Sequence, residues 1–213
     1  MPVNKFVQRA GFLAFLLIAV SGVLGGALAA PVTDGAAQSI EWRSAVQDGA
    51  RMEQSRDWLR AIEHYEHALK SWPDNEQLQY GLRRPKVHLA IERRYADNSF
   101  ERTLLGKSRS ECLDVLDDVL SQVRTYYVSP ISTTSFVAHG TESLYLALVN
   151  PKFVARNLRN SDPDSIEKMR TILREQYWNK PIPQWSSARQ VVEQVCGTAR
   201  RLLGTSDSAI VME

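Results

Sequence analysis

The sequence predicts an all-α protein. Apolar residues recur at intervals of three and four along most of the chain, which is the period of an amphipathic helix. Gly and Pro cluster between these patterns, and alternating β-branched residues are almost absent apart from short pieces such as Tyr126 to Ser129. With 213 residues, of which 44% are hydrophobic and 23% charged, the chain can bury one sizeable core or two small ones.

Residues 1–30 are typical of an export segment. Lys5 and Arg9 precede the apolar run from Gly11 to Ala19, and Ala27-Leu28-Ala29 offers a small-x-small cleavage site. The apolar stretch is long enough that an uncleaved membrane anchor is the alternative to a cleaved signal peptide. Because positive residues stay on the cytoplasmic side, both alternatives predict that the rest of the chain is exported, either periplasmic or membrane-anchored and facing the periplasm.

The charge of the chain argues against a nucleic-acid partner. The formal net charge is +2, and removal of the first 29 residues takes away Lys5 and Arg9 and leaves a formal charge of zero. Without a net positive charge, a nucleic-acid role loses its electrostatic basis. We therefore expect a protein or peptide partner, with membrane contact only through the N-terminal segment.

The next part of the chain divides into a linker, residues 31–38, and a helical repeat region, residues 39–96. Pro31 to Gln38 is small and polar, as linkers are. Helices are predicted over about Ile40 to Ser55, about Asp57 to Trp72, a pattern that starts after Asp74, and Val87 to Tyr95. We expect Pro85 to break or kink the third of these before the fourth begins.

The pattern of residues 97–213 predicts a small helical domain. Its helices have apolar stripes with Gly140 on one of them, where we expect a neighbouring helix to come close. The apolar run from Ala209 to Met212 follows the last stripe. The stripes are Leu113, Leu116, Leu120, Val123 and Tyr127; Phe136, Gly140, Leu144 and Leu148; Ile166, Met169, Leu173 and Tyr177; and Val191, Val195, Ala199 and Leu202.

Start and stop signals bound these helices. Asp162 is placed as an N-cap before Pro163, and Ser187 with Gln190 resembles a capping box. Gly204 is expected to end the last helix. The pairs Ser129-Pro130 and Asn150-Pro151 and the stretch Pro181-Ile182-Pro183 are predicted breakers between helices.

The repeat region resembles one tetratricopeptide repeat. The residues that carry the resemblance are Gly49, Met52, Ala61, Tyr65, Ala68 and Pro73, with Ala45 in place of the usual Trp. The resemblance implies a helical hairpin whose first helix turns one face toward a partner-binding groove. That face comprises Arg43, Val46, Ala50, Glu53 and Gln54. The alternative is that the next helix of the same chain fills the groove.

Leu116 to Phe153 resembles the N-terminal helical region of carboxyl-terminal processing proteases, also called tail-specific serine peptidases. The matching features are Tyr127-Val128-x-Pro130, a following helix with Gly140 and Leu144, and the turn Asn150-Pro151, which matches loosely because Asn150 replaces the family's Asp. The resemblance implies an N-terminal leader for a protease body. In that family the catalytic Ser and Lys lie downstream of this region, in a domain after a PDZ domain. We therefore assign no catalytic residue, cofactor or metal to this chain.

Several other residues have both a functional and a structural interpretation. His64 and His67, spaced by three on a helix beside Glu63 and Glu66, could bind a metal, but they flank a packed face. His139 could be a site residue or a buried hydrogen-bonding residue, and no carboxylate or Cys partner is positioned for it by the sequence. Lys152 and Lys180 lie near Ser residues in the sequence, which is weak support for a Ser-Lys dyad.

Cys112 and Cys196 are the two cysteines of the chain. In an exported protein they could form a single disulfide. Each also lies on an apolar helical stripe, where a buried free thiol is the alternative. The sequence does not decide between the two.

Together these patterns predict an exported, non-catalytic helical segment for protein–protein contact, whose partner could be a protease body encoded downstream. One alternative is a free-standing periplasmic tetratricopeptide adaptor, against which the apolar run Ala209 to Met212 argues. The other alternative is a peptidase that acts through an unrecognised dyad.

Overall fold

A computed structural model describes residues 35–126, 131–178 and 180–213, with side chains from residue 41 onward. This part of the chain is helical and contains no strand, which confirms the all-α prediction. The predictions for residues 1–30, Tyr127 and Ser129-Pro130 lie outside the described residues. The helices are α1 Gly35–Gln54, α2 Trp58–Ser71, α3 Glu76–Ala96, α4 Asn98–Phe100, α5 Arg109–Tyr126, α6 Thr133–Ala147, α7 Pro151–Asn157, α8 Pro163–Ile172, α9 Trp185–Leu203 and α10 Asp207–Val211.

Two of these helices continue as π-helical turns. Glu101–Leu105 extends α4 and Leu173–Tyr177 extends α8. None of the helices in the described ranges is both long and apolar enough to cross a membrane.

The chain forms two compact units. The first unit ends at Ala90 and the second runs from Ile91 to Glu213, so the division falls inside α3. Each unit has its own buried clusters of apolar side chains.

Tyr65 on α2 lies at the centre of the first unit and is fully buried. A β-carbon added to Gly49 on α1 would lie 2.2 Å from the Cζ atom of the Tyr65 ring, and one added to Gly81 on α3 would lie 2.5 Å from its Cε1 atom. Both distances are far below van der Waals contact, so the ring occupies space that side chains on α1 and α3 would otherwise fill. The two glycines therefore make room for one large aromatic side chain between three helices.

The other buried residues of this cluster are small or aliphatic. Ala61 and Ala68 flank Tyr65 on α2, and Leu78 adds a buried side chain from α3. Asp57 caps α2, because its side chain accepts a hydrogen bond from the backbone N–H of Arg60 at 3.3 Å.

The second unit is built around α9, which packs against α5, α6, α8 and α10. Leu113, Leu116 and Leu120 form a buried stripe on α5 against which Trp185 and Val192 of α9 pack. The predicted helix ends hold here. Asp162 caps α8 by accepting a hydrogen bond from the backbone N–H of Ser165 at 2.8 Å, and Gly204 ends α9 with a left-handed φ of 63°.

The apolar run Ala209 to Met212 belongs to this core. Ala209, Ile210 and Met212 are all buried, and α10 packs against α5 and α9. The carboxylate of Glu213 is also fully buried and forms an ion pair with Arg94. Burial raises the pKa of Glu213, while the Arg94 guanidinium acts to lower it.

The linker prediction is wrong for residues 35–38, because α1 begins at Gly35. Small residues such as the alanines of this stretch are compatible with a linker and also with a helix, since Ala has the highest helix propensity.

Of the two outcomes predicted at Pro85, a break or a kink, the break is wrong. Pro85 lies inside α3, which runs without interruption from Glu76 to Ala96. A proline in a helix interior costs about 3 kcal/mol through the lost backbone hydrogen bond and steric clash. Pro85 is among the most deeply buried residues, so apolar burial offsets part of that cost.

Two further local predictions fail. Ser187 and Gln190 do not form a capping box, because α9 begins at Trp185 with Gln184 as its N-cap. The ring of Trp185 packs on Phe136 with a centroid distance of 5.7 Å, which favours the earlier start. Gly140 does not admit a neighbouring helix, since a β-carbon placed there would meet no atom within 4 Å.

Gly49→Ala should lower the free energy of unfolding by about 1–3 kcal/mol, because the added methyl group overlaps the Tyr65 ring. The measurement is urea unfolding followed by far-UV circular dichroism. Gly140→Ala is the matched control, and there the gain in helix propensity should stabilise the protein by about 0.5–1 kcal/mol. Equal stability of the two variants would contradict the packing of Tyr65 against Gly49.

Candidate functional site

The five residues of the predicted groove lie on α1 but differ in how accessible they are. Arg43 and Gln54 are exposed, whereas Val46 and Ala50 are half-buried. Val46 also packs against the Tyr65 cluster. The fifth residue, Glu53, is engaged by the protein itself, so the exposed part of this surface consists of Arg43 and Gln54.

Glu53 joins all three helices of the first unit. The Tyr65 hydroxyl on α2 donates a hydrogen bond of 2.7 Å to Glu53 Oε1. Arg84 on α3 donates from Nε to Glu53 Oε2 at 2.8 Å and from Nη2 to Oε1 at 2.7 Å. This two-point contact of a guanidinium with a carboxylate is a strong, directional arrangement.

The hydrogen bonds and the burial of this network raise the pKa values of two of its groups. The hydrogen bond from Arg84 to Glu53 raises the pKa of Arg84, and burial followed by the Glu53 hydrogen bond raises the pKa of Tyr65. The side chain of Glu53 is only 13% exposed. Glu53 therefore acts as a structural residue, and a ligand would have to break three hydrogen bonds to reach it.

Residues of α3 extend this surface, and the sequence analysis missed them. The guanidinium carbons of Arg83 and Arg84 lie 5.3 Å and 4.7 Å from the centroid of the Tyr80 ring. The spacing of the two glycines is a signal that could have indicated the packing of α3 on Tyr65, because Gly81 follows Gly49 by 32 residues, close to one repeat period.

The two histidines of α2 are placed differently from one another. His64 Nε2 lies 2.8 Å from the backbone oxygen of Ala45, so this ring nitrogen takes part in the contact between α1 and α2. His67 is exposed. Within the described ranges no group of three or more His, Cys, Asp or Glu residues is arranged to hold a metal ion.

His139 has a carboxylate neighbour that the sequence analysis did not assign. Its Nδ1 atom lies 3.9 Å from Glu142 Oε2, one helical turn further along α6. The spacing of three on a helix is the signal that could have found this pair. Because Glu142 is 7% exposed and His139 is more open, the pair lies at the edge of the second unit's core.

Neither lysine considered for a dyad is hydrogen-bonded to a serine in the part of the chain that the structure describes. Lys152 is exposed on α7, and Lys180 is exposed in the segment before α9. The structure does not bring either of them together with a serine hydroxyl.

Cys112 and Cys196 are both buried and both free. The structure therefore has the free-thiol alternative and not the disulfide. Burial, followed by the charge of Asp207, raises the pKa of the Cys196 thiol to about 12. Burial likewise raises the pKa of Cys112. Since the thiolate is the reactive form, both thiols are in unreactive surroundings.

Comparisons with models of known protein families, with curated proteins and with solved structures found no match to this chain.

Cys112 and Cys196 should resist iodoacetamide at pH 8 in the folded protein, since both thiols are buried and burial raises the pKa of each. Mass spectrometry should find two alkylated cysteines only after unfolding in urea. Gln122→Cys, at an exposed position of α5, is the control and should be alkylated in the folded state. Rapid labelling of Cys196 in the folded protein would contradict its burial.

Proposed function

We propose that this chain is an exported, non-catalytic helical segment that serves protein–protein contact, as the leader of a carboxyl-terminal processing serine protease does. The observation that carries the proposal is the packing of Tyr65 between Gly49 and Gly81. A large ring seated between small residues on neighbouring helices is the packing that the tetratricopeptide resemblance implies, and such repeats bind proteins through their concave surface.

The accessible side chains of α1 are suited to this role. Arg43 can form ion pairs and hydrogen bonds, and the Gln54 amide can both donate and accept. Both project from a helix that Glu53 fixes to Arg84 and Tyr65. A surface on a fixed helix loses little conformational entropy on binding, which favours recognition of a partner.

A free-standing adaptor is the second candidate function, and one observation favours it. The apolar run Ala209 to Met212 argued against an adaptor because it could have been an exposed unfinished segment. These residues are instead buried in the second unit, where α10 packs on α5 and α9. That objection to the adaptor therefore no longer applies.

The size of the endogenous protein distinguishes the two candidates. An antibody raised against residues 39–150 should detect a product several-fold larger than the 24.1 kDa of this chain if a protease body is encoded downstream. A product at or slightly below 24.1 kDa would favour the adaptor and would exclude the leader of a protease. Detection with a second antibody against residues 185–213 controls for proteolysis of the product.

A photo-crosslinking amino acid in place of Gln54 should capture a partner protein in the native source, because this position lies on the exposed part of α1. His67, exposed on α2, is the matched control position and should give no such product. The measurement is immunoblotting for a discrete species of higher mass, followed by mass spectrometry. Equal crosslinking from both positions, or none from Gln54, would contradict protein contact through this face.

A further inference from the structure

The second unit contains an open depression of about 240 Å³, which we call the basic depression. Its floor is formed by Phe100, which is buried, and Tyr95, which is half-buried. Its charged rim comes from the end of α3, from α4 with its π-helical turn, and from α7 with the turn that follows. The lining residues are Arg94, Tyr95, Asp97, Phe100, Glu101, Lys152, Ala155, Arg156 and Arg159.

Positive charge predominates in the basic depression, with four cations against the two carboxylates of Asp97 and Glu101. Lys152 and Arg156 are spaced by four, which places them on one face of α7, and Arg159 lies in the turn just after that helix ends. At a rise of 1.5 Å per residue, Lys152 and Arg156 lie roughly 6 Å apart along the helix axis. The small side chain of Ala155 leaves the space between them open.

Two of the four cations form ion pairs with carboxylates of this chain. Arg156 forms an ion pair with Glu101, and both side chains are substantially exposed, at 40% and 48%. Arg94 forms an ion pair with the buried carboxylate of Glu213. Arg156 is therefore accessible to a ligand carboxylate, whereas Arg94 is engaged by the core.

The other two cations have no such partner. Among the described residues, neither Lys152 nor Arg159 forms an ion pair, and both are exposed. The Arg159 Nε atom donates a hydrogen bond of 2.9 Å to the backbone oxygen of Ala155, which directs the guanidinium while leaving its remaining N–H groups for a ligand.

We propose that the basic depression binds the carboxylate groups of an acidic, extended peptide segment of a partner protein. Alternate side chains of an extended peptide lie roughly 7 Å apart on one side, which is comparable to the spacing of Lys152 and Arg156 along α7. One carboxylate of the ligand bonds to Lys152 and another to Arg159. A carboxylate near Arg156 replaces Glu101, whose exposed ion pair is weak and exchangeable.

This inference goes beyond the proposed function, since it concerns a surface of the second unit and not the face of α1 that carries Gln54. Loss of acidic-peptide binding would leave the crosslinking result for Gln54 unaffected. Each proposal can therefore be contradicted by its own experiment without affecting the other.

The test is fluorescence anisotropy with the purified full chain and a labelled peptide that carries three Glu residues at alternate positions. A peptide with Gln at these positions is the first control and should not bind. Lys152→Glu combined with Arg159→Glu should weaken binding about tenfold or more, because two attractive contacts become repulsive. Lys168→Glu combined with Arg174→Glu changes the net charge equally at exposed positions outside the depression and should change the affinity less than about twofold.

Glu101→Gln provides a test that loss of folding cannot mimic. It frees Arg156 from its internal carboxylate, so the affinity for the acidic peptide should increase by roughly two- to fivefold. Equal weakening by the two double variants, binding of the Gln peptide, or unchanged affinity in Glu101→Gln would overturn the proposal. Much tighter binding of a phosphoserine peptide than of the Glu peptide would also overturn it, since the ligand would then be a phosphate and not a carboxylate.

Discussion

The first unit depends on the burial of one aromatic ring. Tyr65 is fully enclosed, and two glycines on different helices leave the volume that its ring fills. The hydroxyl at the end of the ring is satisfied by Glu53, whose carboxylate is in turn held at two points by Arg84. Apolar packing and a polar network thus meet at a single side chain, and neither is complete without the other. Since Glu53 is hydrogen-bonded within this network, the side chains of α1 that can contact a partner are those that are exposed.

The second unit is organised by a different constraint, which is the burial of its last residues. The α10 helix packs into the same core as α5 and α9, although it begins at Asp207 and is followed closely by Glu213. Asp207 pairs with Arg200, and Glu213 pairs with Arg94, so each buried carboxylate has a guanidinium partner. Removal of Arg94 would leave the buried carboxylate of Glu213 without its guanidinium partner, which is far costlier than the loss of an exposed ion pair. Asp207 has a second guanidinium neighbour, because Arg109 Nε lies 3.8 Å from its Oδ2 atom. The same Arg94 borders the basic depression, and this links the integrity of the core to the charge of that surface.

Much of the helical pattern could be read from the sequence, because it rests on local chemistry. Asp162 before Pro163 fits only a helix start, and Gly204 adopts a left-handed conformation that other residues avoid. Local chemistry did not predict that α3 continues through Pro85. Its local preference is against a helix, but α3 continues through it because the surrounding side chains bury the ring. The surroundings of Gly140 could not be predicted either, because a glycine within a helix does not indicate whether a neighbouring helix packs against it.

The candidate surfaces were harder to predict than the helices, for a related reason. The tetratricopeptide resemblance indicated five residues of α1, but which of them remain accessible depends on Arg84, which lies 31 residues from Glu53 in the sequence. Likewise, Lys152 and Arg156 share a helix face that periodicity reveals, whereas their juxtaposition with Arg94 and Glu101 depends on the tertiary fold.

The packing of Tyr65 also limits how this sequence can diverge. The ring and the two β-carbon positions opposite it share one fixed volume, so enlargement at position 49 or 81 lowers stability unless position 65 shrinks at the same time. A smaller residue at position 65 would in turn remove the hydroxyl that bonds Glu53, and the carboxylate would then have only Arg84 as a partner. Substitutions at these positions are therefore coupled, and compensated sets of changes in this core cost less stability than the single steps do.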